Sequence, residues 1–336
     1  MPRNRRARPH ARARARVRTD VRMDAPSCGA VVAAAIAVVI IELIILKVRT
    51  PRLPPASGPL TGAAVGASPG EQMRAPACCP RVLRLLVFGD SVAAGCGCRT
   101  HQDALTGSIV RELAARGVAV EWSVVGKIGL TAEGMSRELV PELEGRAGWD
   151  ACVVSVGVNN LLEGHSSIRY AAQLKTLLKG LRKRLGAECA LLVMDMPAMG
   201  YFPAVAWLWP LRALIGRYAA SIGETSATVC EATGLAKCVY WDMRAVAQNP
   251  RAAAAELMAA DGFHPARGGC DLAAGWIVDA ALSRWDLPTR QGRQASPHPW
   301  QKRSSREQGV NCLGERRPRP SGARRSPRRS PRRGGM

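Results

Sequence analysis

Four short stretches hold the residues from which a reaction could be built. Ser91 stands in Gly89-Asp90-Ser91-Val92-Ala93-Ala94-Gly95, and His264 in Asp261-Gly262-Phe263-His264-Pro265. Between them lie Gly126-Lys127-Ile128-Gly129-Leu130-Thr131 and Gly157-Val158-Asn159-Asn160. A serine hydroxyl is a weak nucleophile until a base takes its proton, and an imidazole suits that task near neutral pH. Asp261, three residues before His264, could orient the ring and stabilise its cation. A carbonyl attacked by Ser91 develops an oxyanion, which needs preset donors. The backbone N–H groups of Ser91 and Gly129 and the side-chain amide of Asn159 are donors of the right kind. Gly129 has no Cβ to hold a substrate away. The chemistry permitted is acyl transfer, with Ser91 as nucleophile and His264 as base and then acid. Each residue also has a plainer reading. Ser91 caps a helix, Gly129 and Asp261-Gly262 turn the chain, Asn159 bonds its own loop, and His264 is a surface loop residue.

The elements that must position these residues follow from the hydropathy pattern. Val82 to Phe88 is an apolar run that reads as a buried strand ending at Gly89. Similar runs cover 118–125, 151–156, 189–194 and 237–241. Helical patterns fall at 103–116, 131–145, 167–186, 209–224 and 268–285. The clearest of them places Leu174, Leu177, Leu178, Leu181 and Leu185 on one face. Strands alternating with helices predict a parallel sheet of about five strands with helices on both sides. Ligands on such sheets bind beyond the carboxyl ends of the strands. The turns at Gly89, Gly126 and Gly157 fall at such ends, and the His264 loop follows the last strand.

Taken together and in order, the four blocks resemble the SGNH (GDSL-type) hydrolase family. The blocks are Gly89-Asp90-Ser91, Gly129, Gly157-Val158-Asn159-Asn160 and Asp261-Gly262-Phe263-His264. The resemblance covers roughly residues 82–285. It implies a flavodoxin-like three-layer α/β/α sandwich and hydrolysis of esters or thioesters without a metal or other cofactor. It also implies Ser91, His264 and Asp261 as the catalytic residues, with Ser91, Gly129 and Asn159 as the oxyanion hole. One position departs from the pattern, since Asn160 stands where the family has Asp. Asn is nearly isosteric with Asp, so a hydrogen bond that braces the loop survives the exchange, whereas a negative charge does not.

Composition divides the rest of the chain. The formal net charge is +22, which by itself suggests a nucleic-acid partner. Residues 1–24 hold nine Arg against two Asp, and residues 288–336 hold thirteen Arg and one Lys against two Glu. Residues 25–287 therefore carry only +3 of the +22. Both basic ends lack apolar periodicity and read as disordered. Residues 25–46 are almost wholly apolar, with Glu42 their one charge. At about 1.5 Å per residue this run reaches across a bilayer core of about 30 Å. It reads as a single-pass anchor, a buried core helix being the plainer alternative. The nine preceding Arg outnumber Lys47, Arg49 and Arg52 after it, so the folded domain is expected on the non-cytoplasmic side. An Arg-rich, acid-poor start also fits an organellar targeting peptide, though Ser is scarce. Residues 47–79, rich in Pro, Gly and Ala, read as a linker, and 80–287 as the folded domain.

The eleven cysteines show no C-x-x-C pair and no Cys/His spacing for zinc. Cys230 and Cys238 are the candidates for a disulfide in an oxidising compartment. Past the fourth strand, Met199, Tyr201, Phe202 and Trp207 fall in an aromatic stretch of a chain only 4% aromatic. They read either as an acyl-chain pocket or as a packed loop. The partners implied are an acyl ester substrate, a membrane through residues 25–46, and an anionic surface through the C-terminal tail. No specific nucleic acid is expected, because no recognition module is visible. Two competing functions are a catalytically weakened module that binds acylated ligands and an anionic-surface binder acting through its tails.

Overall fold

The computed structural model describes residues 28–64, 82–240 and 256–285. The apolar runs form β2 (Leu83–Gly89), β3 (Val120–Gly126), β4 (Ala151–Ser155), β5 (Ala190–Met194) and β6 (Lys237–Val239). All five pair in parallel, in the order β3-β2-β4-β5-β6. That order is the doubly wound, flavodoxin-like one, whose ligand crevice opens where the order reverses. Here the reversal lies at β2, which pairs with β3 on one side and β4 on the other.

A sixth strand, β1 (Thr61–Ala64), adds antiparallel to the outer edge of β3. It lies in the stretch expected to be linker, and it adds an antiparallel edge to the five expected parallel strands. Thr61-Gly62-Ala63-Ala64 carries no strand pattern of its own. The Trp122 indole lies over Gly62, where an added Cβ would come within 2.6 Å of the ring. Glycine at this position is what lets the indole cover the edge strand.

Seven helices are described: α1 (Cys28–Arg49), α2 (Leu105–Ala114), α3 (Ala132–Glu138), α4 (Val158–Leu162), α5 (Ser167–Leu185), α6 (Leu211–Thr233) and α7 (Arg267–Trp285). Ile109 and Leu113 of α2 and Ile277, Val278 and Ala281 of α7 meet Leu83, Leu85, Ala151 and Val153 on one sheet face. Helix α5 packs on both α3 and α6. Every residue of β4 is buried, so the central sheet is covered on both faces. The α5 leucines 174, 177, 178, 181 and 185 are buried as their spacing predicts. Each contributes about 1.5–3 kcal/mol to the core.

Element ends differ from expectation for local reasons. Helix α3 stops at Glu138, and Pro141 opens a separate 3-10 turn. Helix α6 runs to Thr233, past the expected end at 224, and closes on the left-handed Gly234. Helix α1 is the expected apolar run, moved three residues along, and is long and apolar enough to cross a membrane, with mean hydropathy 2.9. Cys230 and Cys238 lie side by side as thiols. The expected basic tails and the part of the linker at 65–79 lie outside the described residues.

Candidate active site

Gly89 ends β2 and starts the turn that presents Ser91. Its φ is +145°, and a Cβ there would fall 2.1 Å from the Ser155 carbonyl oxygen at the end of β4. Gly126, paired with it at the end of β3, is equally confined, a Cβ lying 2.7 Å from the Ala94 nitrogen. The two strand ends thus hold the Ser91 loop tightly over the sheet. Asp90 is the internal brace. Its Oδ1 accepts from the Ser155 hydroxyl at 2.7 Å and from the Val92 N–H at 3.1 Å. Burial pushes the Asp90 carboxyl above its ordinary pKa, against those two bonds.

His264 approaches from the loop before α7. Its Nε2 lies 2.8 Å from Ser91 Oγ, and its Nδ1 lies 2.6 Å from Asp261 Oδ2. The other Asp261 oxygen accepts the backbone N–H groups of Phe263 at 2.9 Å and His264 at 3.0 Å. Asp261 is buried, which alone would raise its pKa. The His264 ring and the two backbone donors outweigh burial and hold the carboxyl below its ordinary value. The group therefore stays a carboxylate aimed at the imidazole. With Nδ1 donating to Asp261, Nε2 is left to accept the serine proton. A hydrogen-bonded chain of this kind has the chemical capacity to activate a serine hydroxyl for attack on an electrophilic carbon.

The expected oxyanion donors occupy the same sheet edge. Gly129 is exposed, with φ +82° and open space around an added Cβ, so its role is conformational rather than a close approach. Asn159, expected in a loop, sits in the first turn of the short helix α4, and its Nδ2 donates to the Leu130 carbonyl at 3.0 Å, which ties α4 to the Gly129 loop. No hydrogen bond engages the backbone N–H of Ser91 or Gly129 among the described residues. Asn160 is fully buried and does different work. Its Oδ1 accepts the Ala132 N–H at the start of α3 at 3.0 Å, and its Nδ2 donates to Gln173 Oε1 on α5 at 2.7 Å.

The cleft beside Ser91 and His264 is lined by Val92, Val156, Val158, Pro197, Phe202 and Phe263, among others. Of the four expected pocket residues only Phe202 lines it. Its ring meets Phe263 edge-on at 5.7 Å, and Phe263 meets His264 at 5.5 Å. Met199 is buried in the core, while Tyr201 and Trp207 are about half exposed and outside the cleft. Asp195 lines the cleft and was not singled out from the sequence. Burial raises its pKa to about 6, against the bond that its Oδ1 accepts from the Met196 N–H at 2.7 Å.

A family model described as the GDSL-like lipase/acylhydrolase family matches residues 87–272, more than half of the chain. The chain belongs to this family. Every block around Ser91, Gly129, Asn159 and His264 falls inside the match. The GDSL-like esterase Rv1075c of Mycobacterium tuberculosis is 27% identical to this hydrolase over 217 residues, 63% of this chain and 67% of that one. Among solved structures, the psychrotrophic esterase EstA from Pseudoalteromonas sp. aligns at 19% identity and TM-score 0.46, covering 60% of this chain and 98% of its own. A lipase/acylhydrolase from Enterococcus faecalis aligns at 22% identity and TM-score 0.43, covering 62% of this chain and all of its own. As a GDSL-like acylhydrolase the chain is an ester hydrolase.

Proposed function

We propose that this hydrolase cleaves carboxylic esters of acylated, membrane-associated molecules through Ser91, His264 and Asp261. The observation that carries the reading is the hydrogen-bonded chain Ser91–His264–Asp261, at 2.8 and 2.6 Å, at the edge of an apolar cleft. Ser91 Oγ attacks the acyl carbon as His264 Nε2 takes its proton, and the imidazolium is stabilised by Asp261. The Ser91 and Gly129 N–H groups and the Asn159 amide receive the oxyanion. His264 then returns the proton to the leaving alcohol; in the second half His264 takes a proton from water, the water oxygen attacks the acyl-enzyme carbon, and the proton passes to Ser91 Oγ as the carboxylic acid leaves. Phe202 and Phe263 give the acyl chain an apolar wall. Residues 28–49 anchor the protein in a membrane, with the domain on the non-cytoplasmic side.

The test is a chromogenic ester panel of increasing acyl length combined with a fluorophosphonate probe. Wild type should hydrolyse the panel and carry the probe on Ser91. Ser91→Ala should lose about 10³-fold or more in turnover with an unchanged melting curve, because members of such a set act as a unit. Near wild-type turnover in Ser91→Ala would remove the proposal.

A further inference from the structure

Helix α1 is not a free tether. Val39 and Leu46 pack on the domain core. Between them Glu42, only 8% exposed, accepts the Leu211 backbone N–H at 2.8 Å. Arg49 lies 5.3 Å above the Trp207 ring. Val39, Glu42, Leu46 and Arg49 are spaced three, four and three residues apart, a single helical stripe. The carboxylate therefore caps the first turn of α6, where helix N–H groups lack partners and the dipole favours an anion. This contact also explains how a charge is accommodated in an apolar helix.

The geometry points to a domain seated partly within the bilayer leaflet, drawing its acyl ester from that leaflet. Helix α1 has 22 residues, about 33 Å, against a hydrocarbon core of about 30 Å. Its docked part, from Val39 to Arg49, is half of that. The undocked half, about 16 Å, is too short to cross alone. A spanning α1 that stays docked must therefore carry the adjoining rim of the domain below the membrane surface. The surface at that level fits. Ile40, Ile41, Leu43 and Ile44 flank Glu42 and remain exposed on α1. On the domain side Trp207, Trp209 and Leu214 are exposed around the capped start of α6. Aromatic rings beside a cation suit the headgroup boundary. A continuous turn connects this rim to the cleft wall, since Ala206 N–H bonds the Phe202 carbonyl at 2.8 Å and Leu208 N–H bonds Val205 at 2.9 Å. The substrate class is thus an acyl lipid resident in the membrane. This inference rests on the spanning reading of α1 and deepens the proposed esterase activity.

The test uses the full chain reconstituted into phosphatidylcholine–phosphatidylglycerol vesicles containing lipids brominated on their acyl chains. Brominated lipid should quench tryptophan fluorescence, and Trp207→Phe with Trp209→Phe should remove much of that quenching. Trp207→Ser with Trp209→Ser should lower hydrolysis of a vesicle-embedded long-chain ester about tenfold, the effect of roughly 1.4 kcal/mol. Hydrolysis of a short, water-soluble ester should be unchanged, which also certifies the fold. Glu42→Ala should remain vesicle-bound and lose the quenching. Vesicle-bound protein with no quenching attributable to Trp207 and Trp209 would overturn the seating alone. Protein that fails to float with vesicles would overturn the spanning reading as well. Quenching without any ester hydrolysis would leave the seating in place and sink the leaflet substrate together with the esterase reading.

Discussion

On the proposed reading, the adjacent Asn159 and Asn160 of α4 divide their work between chemistry and scaffold. Asn159 points an amide toward the Leu130 carbonyl beside Gly129, whereas Asn160 is buried between α3 and α5. Asn159→Ala should lower kcat by about 10²–10³ with KM comparatively unchanged, since an oxyanion donor matters mainly in the transition state. Asn160→Ala should cost about 1–3 kcal/mol, because the Ala132 N–H and Gln173 Oε1 lose their buried partner. Asn160→Asp restores the family residue, yet a carboxylate cannot donate to Gln173 Oε1, so this variant should also melt below wild type. Steady-state kinetics and melting curves on the three variants separate the roles. A stability loss in Asn159→Ala with intact kcat, beside the converse in Asn160→Ala, would reverse the assignment.

At the scale of elements, what was legible in the sequence divides by where each signal resides. The parallel strands β2 to β6 were readable because each is an apolar run closed by a turn, and the α5 stripe because its period is local. Ser91, Asp261 and His264 could be nominated from residue type and order alone. Strand β1 could not, since its stability comes from Trp122 on another strand. The Asp90–Ser155 brace was hidden because Ser155 sits inside an apolar run 65 residues away. The Glu42 cap was hidden for the same reason, its partner lying 169 residues along the chain. The segment that leads into β1 also braces the Ser91 loop. Ala56 N–H bonds the Ala94 carbonyl at 3.0 Å, and Ser57 N–H bonds Arg99 at 3.0 Å. A chain of residues 80–287 should therefore unfold at lower urea than one of residues 51–287, by about 1–3 kcal/mol for a few net hydrogen bonds. The shorter chain should also turn over short esters more slowly. Equal midpoints and equal rates would show that the edge strand contributes nothing.

For the molecule as a whole, the charge that dominates the composition lies in stretches of sequence other than those that hold the four site blocks. The body is nearly neutral, and its consequential ionisable groups are the buried carboxyls of Asp90 and Asp261 and the half-buried one of Asp195 in the cleft. They push stability in opposite directions with pH. Asp261 binds its proton less readily when folded, so its contribution is present above its unfolded pKa and is lost as pH falls through the lower folded value. Asp195 is the reverse. Burial raises it from 3.8 to about 6, so the folded state holds more protons than the unfolded chain between those values. Stability must then fall as pH rises through that window, and the penalty persists above it. Asp195→Asn keeps an oxygen for the Met196 N–H but has no charge to bury. It should raise stability at pH 7.5 by on the order of 2–3 kcal/mol, the scale of a two-unit shift, and change little at pH 4. Denaturant melts of both proteins across this range test the sign directly. A gain of equal size at pH 4 and pH 7.5 would mean that the effect is packing, and that the cleft carboxyl carries no desolvation cost.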